Sequence, residues 1–506
     1  MNIEKLLKNL VITVADFHLN KQAFIKGIAY DSRKVGQDYL FVALKGHTLN
    51  GHKFINHAIK QGAIVVVAEK TEDNLPKPYN IPLIQVPDSR RALSQLAATY
   101  YGHPYRGLNL IGITGTNGKT SITYIMESIL LAAGNRPGII GTISYRFQNY
   151  TQEAPTTTPE SLELMRILRE IADKGATDVV MEVSSHALRQ GRVSKCPFTS
   201  AIFTNLTRDH LDYHSSMDDY YEAKSILFRE LGKDNNGSTP TAIINIDDPY
   251  GKKLCHLVSV PVITYGLDNQ SNVRATHLEV NRNGLKFKMT TPKGIMDIKS
   301  SLIGDFNVYN ILAASATALS MGINQSDIKK GIANLKGIPG RLEIIHNSNS
   351  LFVVVDYAHT PDALLKAILS LKPLIHGRII TVFGCGGDRD KGKRFDMGQI
   401  AGQYSQVVII TSDNPRTEEP LSIISGIEKG IKDSKLQIIS PDGSTKRGYI
   451  IEPDRRSAIC LAISMADKDD LVLIAGKGHE DYQIIGYQKR PFDDRNEVAQ
   501  AIMGCK

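Results

Sequence analysis

The run Gly115-Thr116-Asn117-Gly118-Lys119-Thr120-Ser121 decides how the chain is read. An apolar run, Leu108 to Ile113, precedes it and reads as a buried strand. Ser121 to Ala132 follow and read as a helix. Strand, glycine-rich turn and helix together make a phosphate cradle. Glycines let backbone N–H groups approach a polyphosphate, and the helix N-terminus adds positive potential. Lys119 would reach the terminal phosphates, and the Thr120 hydroxyl would sit on Mg²⁺. The general phosphate-loop pattern asks for glycine five positions before Gly118; Ile113 is there, and Gly112 lies one residue too early. A glycine-rich turn without a ligand is the plain alternative. A Gly-Lys-Thr that follows a strand and opens a helix favours the phosphate reading.

Around this loop lie 506 residues, enough for about two to four domains. Hydrophobic residues make up 42% and charged residues 22%, which is ordinary for a globular protein. A core of this size needs no disulfide or structural metal. Cys196, Cys255, Cys385, Cys460 and Cys505 are scattered, with no close pair at metal-ligand spacing. That argues against a zinc site and for a reducing compartment. The apolar stretch Leu6–Val14 is broken by Lys8 and Asn9, and no run reaches membrane-spanning length. The expectation is a cytoplasmic protein without a membrane span. The net charge of +8 suits nucleic acid or small polyanions such as nucleotides. Basic residues are spread out, with no run interleaved with aromatics, so most read as solvated surface.

Outward from the loop, the chain divides into three α/β segments. In the first, Leu40–Val42, Ala63–Ala68 and Leu83–Val86 read as short strands. Asp31-Ser32-Arg33 and Gly46-His47 fall between them, as ligand contacts or as turn formers. Ser89–Tyr101 reads as a helix before a Gly102-His103-Pro104 break. In the second, Thr156-Thr157-Thr158-Pro159 reads as a loop and helix start, its hydroxyls available for capping or a ligand. Val179–Met181, Ala201–Thr204 and Ala242–Ile246 read as strands with polar ends near the loop. Asn283-Gly284 signals a hairpin, and Phe306 opens an alanine-rich helix to about Ser320. In the third, Phe352–Val355, Ile379–Phe383, Val407–Thr411 and Leu471–Ala475 alternate with helical stretches in a Rossmann-like pattern. Gly384-Cys385-Gly386-Gly387 is not a dinucleotide fingerprint, because its third glycine would fall on Arg389.

Some polar residues at these strand ends carry chemistry. Glu182 ends a strand beside the loop and would complete Mg²⁺ binding with Thr120; a capping or surface glutamate is the plain alternative. Arg208, Asp209, His210, Asp212 and His214 form a cluster dense in metal and phosphate ligands. Lys224 follows in a helical stretch, where a solvated lysine is the ordinary reading.

Gly115–Ser121, Glu182-Val183-Ser184-Ser185-His186, Asn205–Asp212 and Lys224 together resemble the Mur ligase family of ATP-dependent amino-acid ligases. Asn307 with Asn310, Gly340-Arg341-Leu342-Glu343 and Asp356-Tyr357-Ala358-His359-Thr360-Pro361-Asp362 continue the match. Asp413-Asn414-Pro415-Arg416 and Gly476-Lys477-Gly478-His479-Glu480 complete it over nearly the whole chain. The resemblance implies an α/β fold of three domains: a small N-terminal UDP-substrate domain over 1–104, a central P-loop-type ATPase domain over 105–337, and a C-terminal Rossmann-like amino-acid-binding domain over 338–506. It implies ATP as co-substrate and Mg²⁺ as cofactor. It also implies joining meso-diaminopimelate to the D-Glu side-chain carboxylate of UDP-N-acetylmuramoyl-L-alanyl-D-glutamate through an acyl phosphate, in peptidoglycan precursor synthesis.

The same resemblance assigns roles. Lys119, Glu182, His210 and Lys224 are the implied catalytic set. Thr120 and Glu182 would hold one Mg²⁺, and His210 with a carbamylated Lys224 the second. Gly115, Thr116, Asn117, Gly118, Lys119, Thr120, Ser121, Asn307, Arg341 and Asp356 would contact ATP. Ser32, Thr157, Thr158, Ser184, Gln190 and Arg192 match positions for the UDP-substrate. Arg389, Asp413, Asn414, Pro415, Arg416, Gly476 and Glu480 would receive diaminopimelate. Thr156 departs from the family pattern, in which asparagine is common. A monomer without a nucleic-acid partner is implied. A folylpolyglutamate synthetase shares the loop and the acyl-phosphate chemistry, but the domain before the loop and Asp413–Arg416 argue against it. A basic ATP-dependent nucleic-acid binder is the reading from another class.

Overall fold

Each of the three segments builds its own sheet around mostly parallel, apolar strands. The computed structural model describes residues 1–15, 23–46, 49–69, 81–211, 213–233, 239–268, 270–347, 350–440 and 446–504. His47, Asp212 and Cys505 lie outside the described residues. The first sheet has the order Val14–Ala15, Leu83–Val86, Ala63–Glu69, Tyr39–Ala43, Gly27–Ala29. Only its Val14–Ala15 edge is antiparallel.

The central sheet has eleven strands. Its parallel heart places Asn109–Thr114 between Ser200–Phe203 and Asp178–Glu182. Such strands must be apolar on both faces, and Asp178–Glu182 is buried at every position. Successive side chains alternate between faces. Ile111 and Ile113 pack with the helices Lys119–Ala132 and Phe306–Ser320. Leu110 packs on the other face with Ser161–Asp173 and Met217–Glu230. Antiparallel strands finish both edges, and one pair is the Asn283-Gly284 hairpin expected from sequence.

The third sheet has the order Glu343–Ile344, Phe352–Asp356, Leu471–Ala475, Ile379–Phe383, Val407–Ile410, Gly448–Ile451. All but the Glu343–Ile344 edge pair are parallel. The motifs at 356, 384, 411 and 476 therefore all leave the same edge of the sheet. Sequence reading missed Gly448–Ile451 and Glu343–Ile344, because strands this short carry little periodicity. The helix after Thr156–Pro159 starts at Ser161 and is capped by Glu160, whose side chain accepts from Ser161 N at 3.1 Å. The threonine hydroxyls therefore do not cap it. Thr158 donates to the Glu182 carbonyl instead. A fully buried ion pair, Arg455 with Asp494, lies under the Leu471–Ala475 strand end, where Arg455 also donates to the Ala475 carbonyl. Removing one member of such a pair typically costs about 3–5 kcal/mol.

Candidate active site between the central and C-terminal domains

The phosphate loop is shaped by what supports it. Gly115 has φ 144° and Gly118 has φ 90°, conformations that favour glycine. An added Cβ would run into the Thr204 hydroxyl at Gly115 and the Asn310 side chain at Gly118. Thr204 donates to the Asn117 carbonyl at 2.7 Å, and Asn205 accepts from Asn117 N–H at 3.0 Å. The Asn117 side chain donates to Asp362 at 3.1 Å. Lys119 folds back onto the loop carbonyls of Gly115 and Thr116, at 2.9 and 2.8 Å. Burial lowers its pKa, opposed by Glu182. Asn310 donates to Asn307 at 2.8 Å, so this pair lies under the loop.

Glu182 is 1% exposed and holds no ion pair among the described residues. Its carboxylate accepts from Thr120 Oγ1 at 3.0 Å, Thr142 N at 2.8 Å and Thr142 Oγ1 at 3.0 Å. A buried carboxylate served only by neutral donors, beside a hydroxyl, is a hard oxygen set that suits Mg²⁺. Lys224 is 2% exposed, donates to the Gly115 carbonyl at 2.8 Å and lies 4.4 Å from the Tyr220 ring centre. Its pKa is held well below the usual lysine value, first by burial and then by Lys119. His210 packs edge-on to the same Tyr220 ring and to His186. As an ammonium Lys224 does not fit a cation; as a carbamate it would. Among the described residues no three His, Cys, Asp or Glu side chains gather as a metal cluster.

The C-terminal domain completes the loop. Arg341 Nη2 donates to Thr120 Oγ1 at 3.2 Å, and its guanidinium lies 4.7 Å from the Tyr357 ring centre. Asp356 is buried and accepts from Leu342 N and Ala358 N, at 2.7 and 2.8 Å. Burial raises its pKa despite Arg341. Asp362 also accepts from Thr207 at 3.1 Å and pairs with Lys366 at 2.9 Å.

On the far side of Glu182, five of the six expected substrate residues gather. Arg192 donates to the Thr158 carbonyl at 2.8 Å and to Gln190 at 2.7 Å. Thr158 Oγ1 accepts from Ser184 N at 3.0 Å. Thr157 touches Thr142 at 3.1 Å. Ser32 is buried in a short 3₁₀ turn, and among the described residues no hydrogen bond joins it to this group. The first domain reaches the group through Arg90 to Glu160 at 3.0 Å and Tyr30 to Glu163 at 3.0 Å.

At the edge of the third sheet, Arg416 Nη1 donates to the Gly387 carbonyl at 2.8 Å, so one arm of the fork is engaged by the protein itself. Arg389 is exposed, with a long contact to its own neighbour's carbonyl, Asp388 O, at 3.4 Å. Both flank Gly386, where an added Cβ would sit 2.9 Å from Arg416 and 3.7 Å from Arg389. Asn414 donates to Glu480 at 2.9 Å, and Asp413 lies beside Gly476. Pro415 carries its carbonyl against Gly387. Sequence reading assigned no role to Thr142, Glu160, Arg90, Asp362 or Lys477. The last two lie inside motifs already noticed; the others are ordinary polar residues with no local pattern.

A glycine-rich loop that opens a helix, with Arg341 of the C-terminal segment reaching its Thr120, is an arrangement suited to an enzyme that uses a nucleoside triphosphate. Three family models match: the Mur ligase family catalytic domain over residues 24–101, the Mur ligase middle domain over 113–318, and the Mur ligase glutamate ligase domain over 340–478. The chain belongs to the Mur ligase family. It is similar to the UDP-N-acetylmuramoyl-L-alanyl-D-glutamate–2,6-diaminopimelate ligase of Geobacter metallireducens, 47% identical over 483 residues, 94% of each chain. A solved structure of a ligase of that name is 33% identical, with a TM-score of 0.67 over 97% of each chain. A Mycobacterium tuberculosis folylpolyglutamate synthase is 16% identical, with a TM-score of 0.61 over 76% of this chain and 92% of its own; that likeness is of fold alone.

Proposed function

We propose that this enzyme is an ATP-dependent, ADP-forming ligase that joins meso-diaminopimelate to UDP-N-acetylmuramoyl-L-alanyl-D-glutamate in peptidoglycan precursor synthesis. A carboxylate is a poor electrophile. Transfer of the γ-phosphoryl of ATP to the D-Glu side chain makes an acyl phosphate, which the incoming amine attacks; phosphate then leaves. Such chemistry is mostly positioning and charge neutralisation. Gly115 to Ser121 cradle the phosphates, and Lys119 turns from its loop carbonyls toward them. Arg341 adds a second cation from across the cleft. Asn307 and Asp356 shape the nucleotide side. Thr120 with Glu182, and His210 with a carbamylated Lys224, are the residues that would hold Mg²⁺, whose charge offsets that of the phosphates. Thr157, Thr158, Ser184, Gln190 and Arg192, with Ser32 from the first domain, face the UDP-substrate. The domains divide near residues 104 and 337, and the enzyme acts in the cytoplasm as a monomer.

The observation that carries the choice of amino acid is the pair Arg416 and Arg389 about Gly386, in the same loop region as the Asn414–Glu480 contact. A second α-amino-carboxylate needs a cation for its carboxylate and an anion for its ammonium. Lysine has no distal carboxylate to offer. The test is ATP-dependent phosphate release with the UDP-muramoyl dipeptide and either diaminopimelate or lysine. Diaminopimelate should support turnover at far lower concentration; a preference for lysine overturns the reading.

A further inference from the structure

Lys477 is fully buried, at 0% exposure, in the turn between Gly476 and Glu480. Burying an ammonium is costly unless it is paired and hydrogen-bonded. Its polar partners lie in the 413–416 loop and in its own 476–480 turn. Nζ donates to Glu480 Oε2 at 3.0 Å and to Asn414 Oδ1 at 3.2 Å, and lies 3.6 Å from Asp413 Oδ1. That Asp413 oxygen is buried and has no hydrogen bond of its own among the described residues. Asn414 is locked from three sides: Oδ1 also accepts from Ile484 N at 2.9 Å, and Nδ2 donates to Glu480 at 2.9 Å. One nitrogen therefore sits between three oxygens that come from two separate loops.

We infer that Lys477 is a positioning residue for amino-acid selection: it fixes Asp413, Asn414 and Glu480 as one unit and sets the charge they present. This rests on the function proposed above and adds a part to it. Two carboxylates against one ammonium leave a single excess negative charge, which matches one ammonium of a zwitterionic end. Arg416, across Gly386, supplies the matching cation. Without Lys477 the two carboxylates would repel and Asn414 would lose a donor, so the geometry of the anionic half would relax. The turn is closely packed. Gly478 has φ 54° and packs against Tyr357, and Gly340 closes on the backbone of Gly478 and His479. Lys477 thus acts through other residues and does not touch the reacting atoms.

The experiment is steady-state kinetics of Lys477→Met, with ATP, the UDP-muramoyl dipeptide and the amino acid varied in turn. A second amino acid, 2-aminopimelate, keeps the distal carboxylate and lacks the distal amine. The KM for diaminopimelate should rise about tenfold or more, as for a misplaced binding group. KM for ATP and kcat at saturating diaminopimelate should stay within about twofold. The preference for diaminopimelate over 2-aminopimelate should narrow, because the anionic half is the part disturbed. If Lys477→Met does not fold, Lys477→Arg carries the same test: it keeps the charge but cannot place one nitrogen between the three oxygens. A folded variant with an unchanged diaminopimelate KM overturns the inference. So does one in which every KM and kcat shift together with the thermal midpoint, which marks a merely structural lysine. Wild-type enzyme that ignores diaminopimelate overturns the proposed function as well; wild-type use of it with an unaffected variant overturns only the role of Lys477.

Discussion

Burial, and then the charge of Lys119, holds the Lys224 pKa well below the usual lysine value, which favours its neutral amine. Carbamylation needs the neutral amine, the form that burial favours here. The product is an anion with hard oxygens, the kind Mg²⁺ prefers. Lys224→Ala should therefore lose roughly a hundredfold or more in phosphate release. Added short carboxylates should restore part of it, and full activity without them would exclude a carbamate. Arg416 gives a second test at this scale. Its Nη1 already bonds Gly387, while Nε and Nη2 have no hydrogen-bond partner among the described residues. A substrate carboxylate would meet those two as a bidentate pair. Arg416→Ala should raise the diaminopimelate KM, at roughly 2–5 kcal/mol for an unpaired buried carboxylate. The advantage over lysine should narrow and the ATP KM should hold, both read from the same steady-state assay.

The Gly476–Glu480 turn is the element on which two side-chain clusters lean. One side carries Lys477 toward Asn414; the other presses on Gly340, next to the arginine that reaches Thr120. His479 lies in this turn, and its Nδ1 is buried without a hydrogen-bond partner. Burial, then the charges of Arg341 and Arg495, push its pKa from 6.5 down to about 3. The unfolded chain takes up this proton near pH 6.5, whereas the folded chain resists until about pH 3. Its penalty is therefore absent above pH 6.5, grows as pH falls through that window, and levels off below about 3. Thermal midpoints measured from pH 7.5 to 4.5 should fall less steeply for His479→Gln than for wild type. Equal slopes would show that this histidine protonates freely in the fold.

Across the whole molecule, the Gly115–Ser121 loop is held by two domains at once. Asp362 opens a helix of the C-terminal domain, yet it accepts from Asn117 of the phosphate loop and from Thr207 beside it. Both contacts form only when the domains meet. Asp362→Ala should raise the ATP KM about tenfold, the equivalent of roughly 1.4 kcal/mol for the lost hydrogen bonds. The diaminopimelate KM should stay near wild type, since among the described residues no hydrogen bond or ion pair joins Asp362 to the 413–416 loop. An unchanged ATP KM would mean that the contact is dispensable to nucleotide binding. No helix among the described residues is long and apolar enough to cross a membrane.

Local chemistry made much of this legible from sequence. The strand, turn and helix at Gly115–Ser121 follow from apolar runs and glycine, and the hairpin at Asn283-Gly284 follows from turn preference. The helices at Ser89, Phe306 and Met217 are likewise written in local pattern and caps. What sequence could not state is who meets whom. Arg341 on Thr120, Asp362 on Asn117 and Lys477 on Asn414 join residues 221, 245 and 63 positions apart. The capping role of Glu160 was hidden by three threonines beside it, equally good formers of such bonds. The low pKa of Lys224 depends on burial that only the packed helix and loop create. Residue type and spacing determined the elements and the motifs; packing of loops and helices at the sheet ends decided which charges are buried, and burial decides what they do.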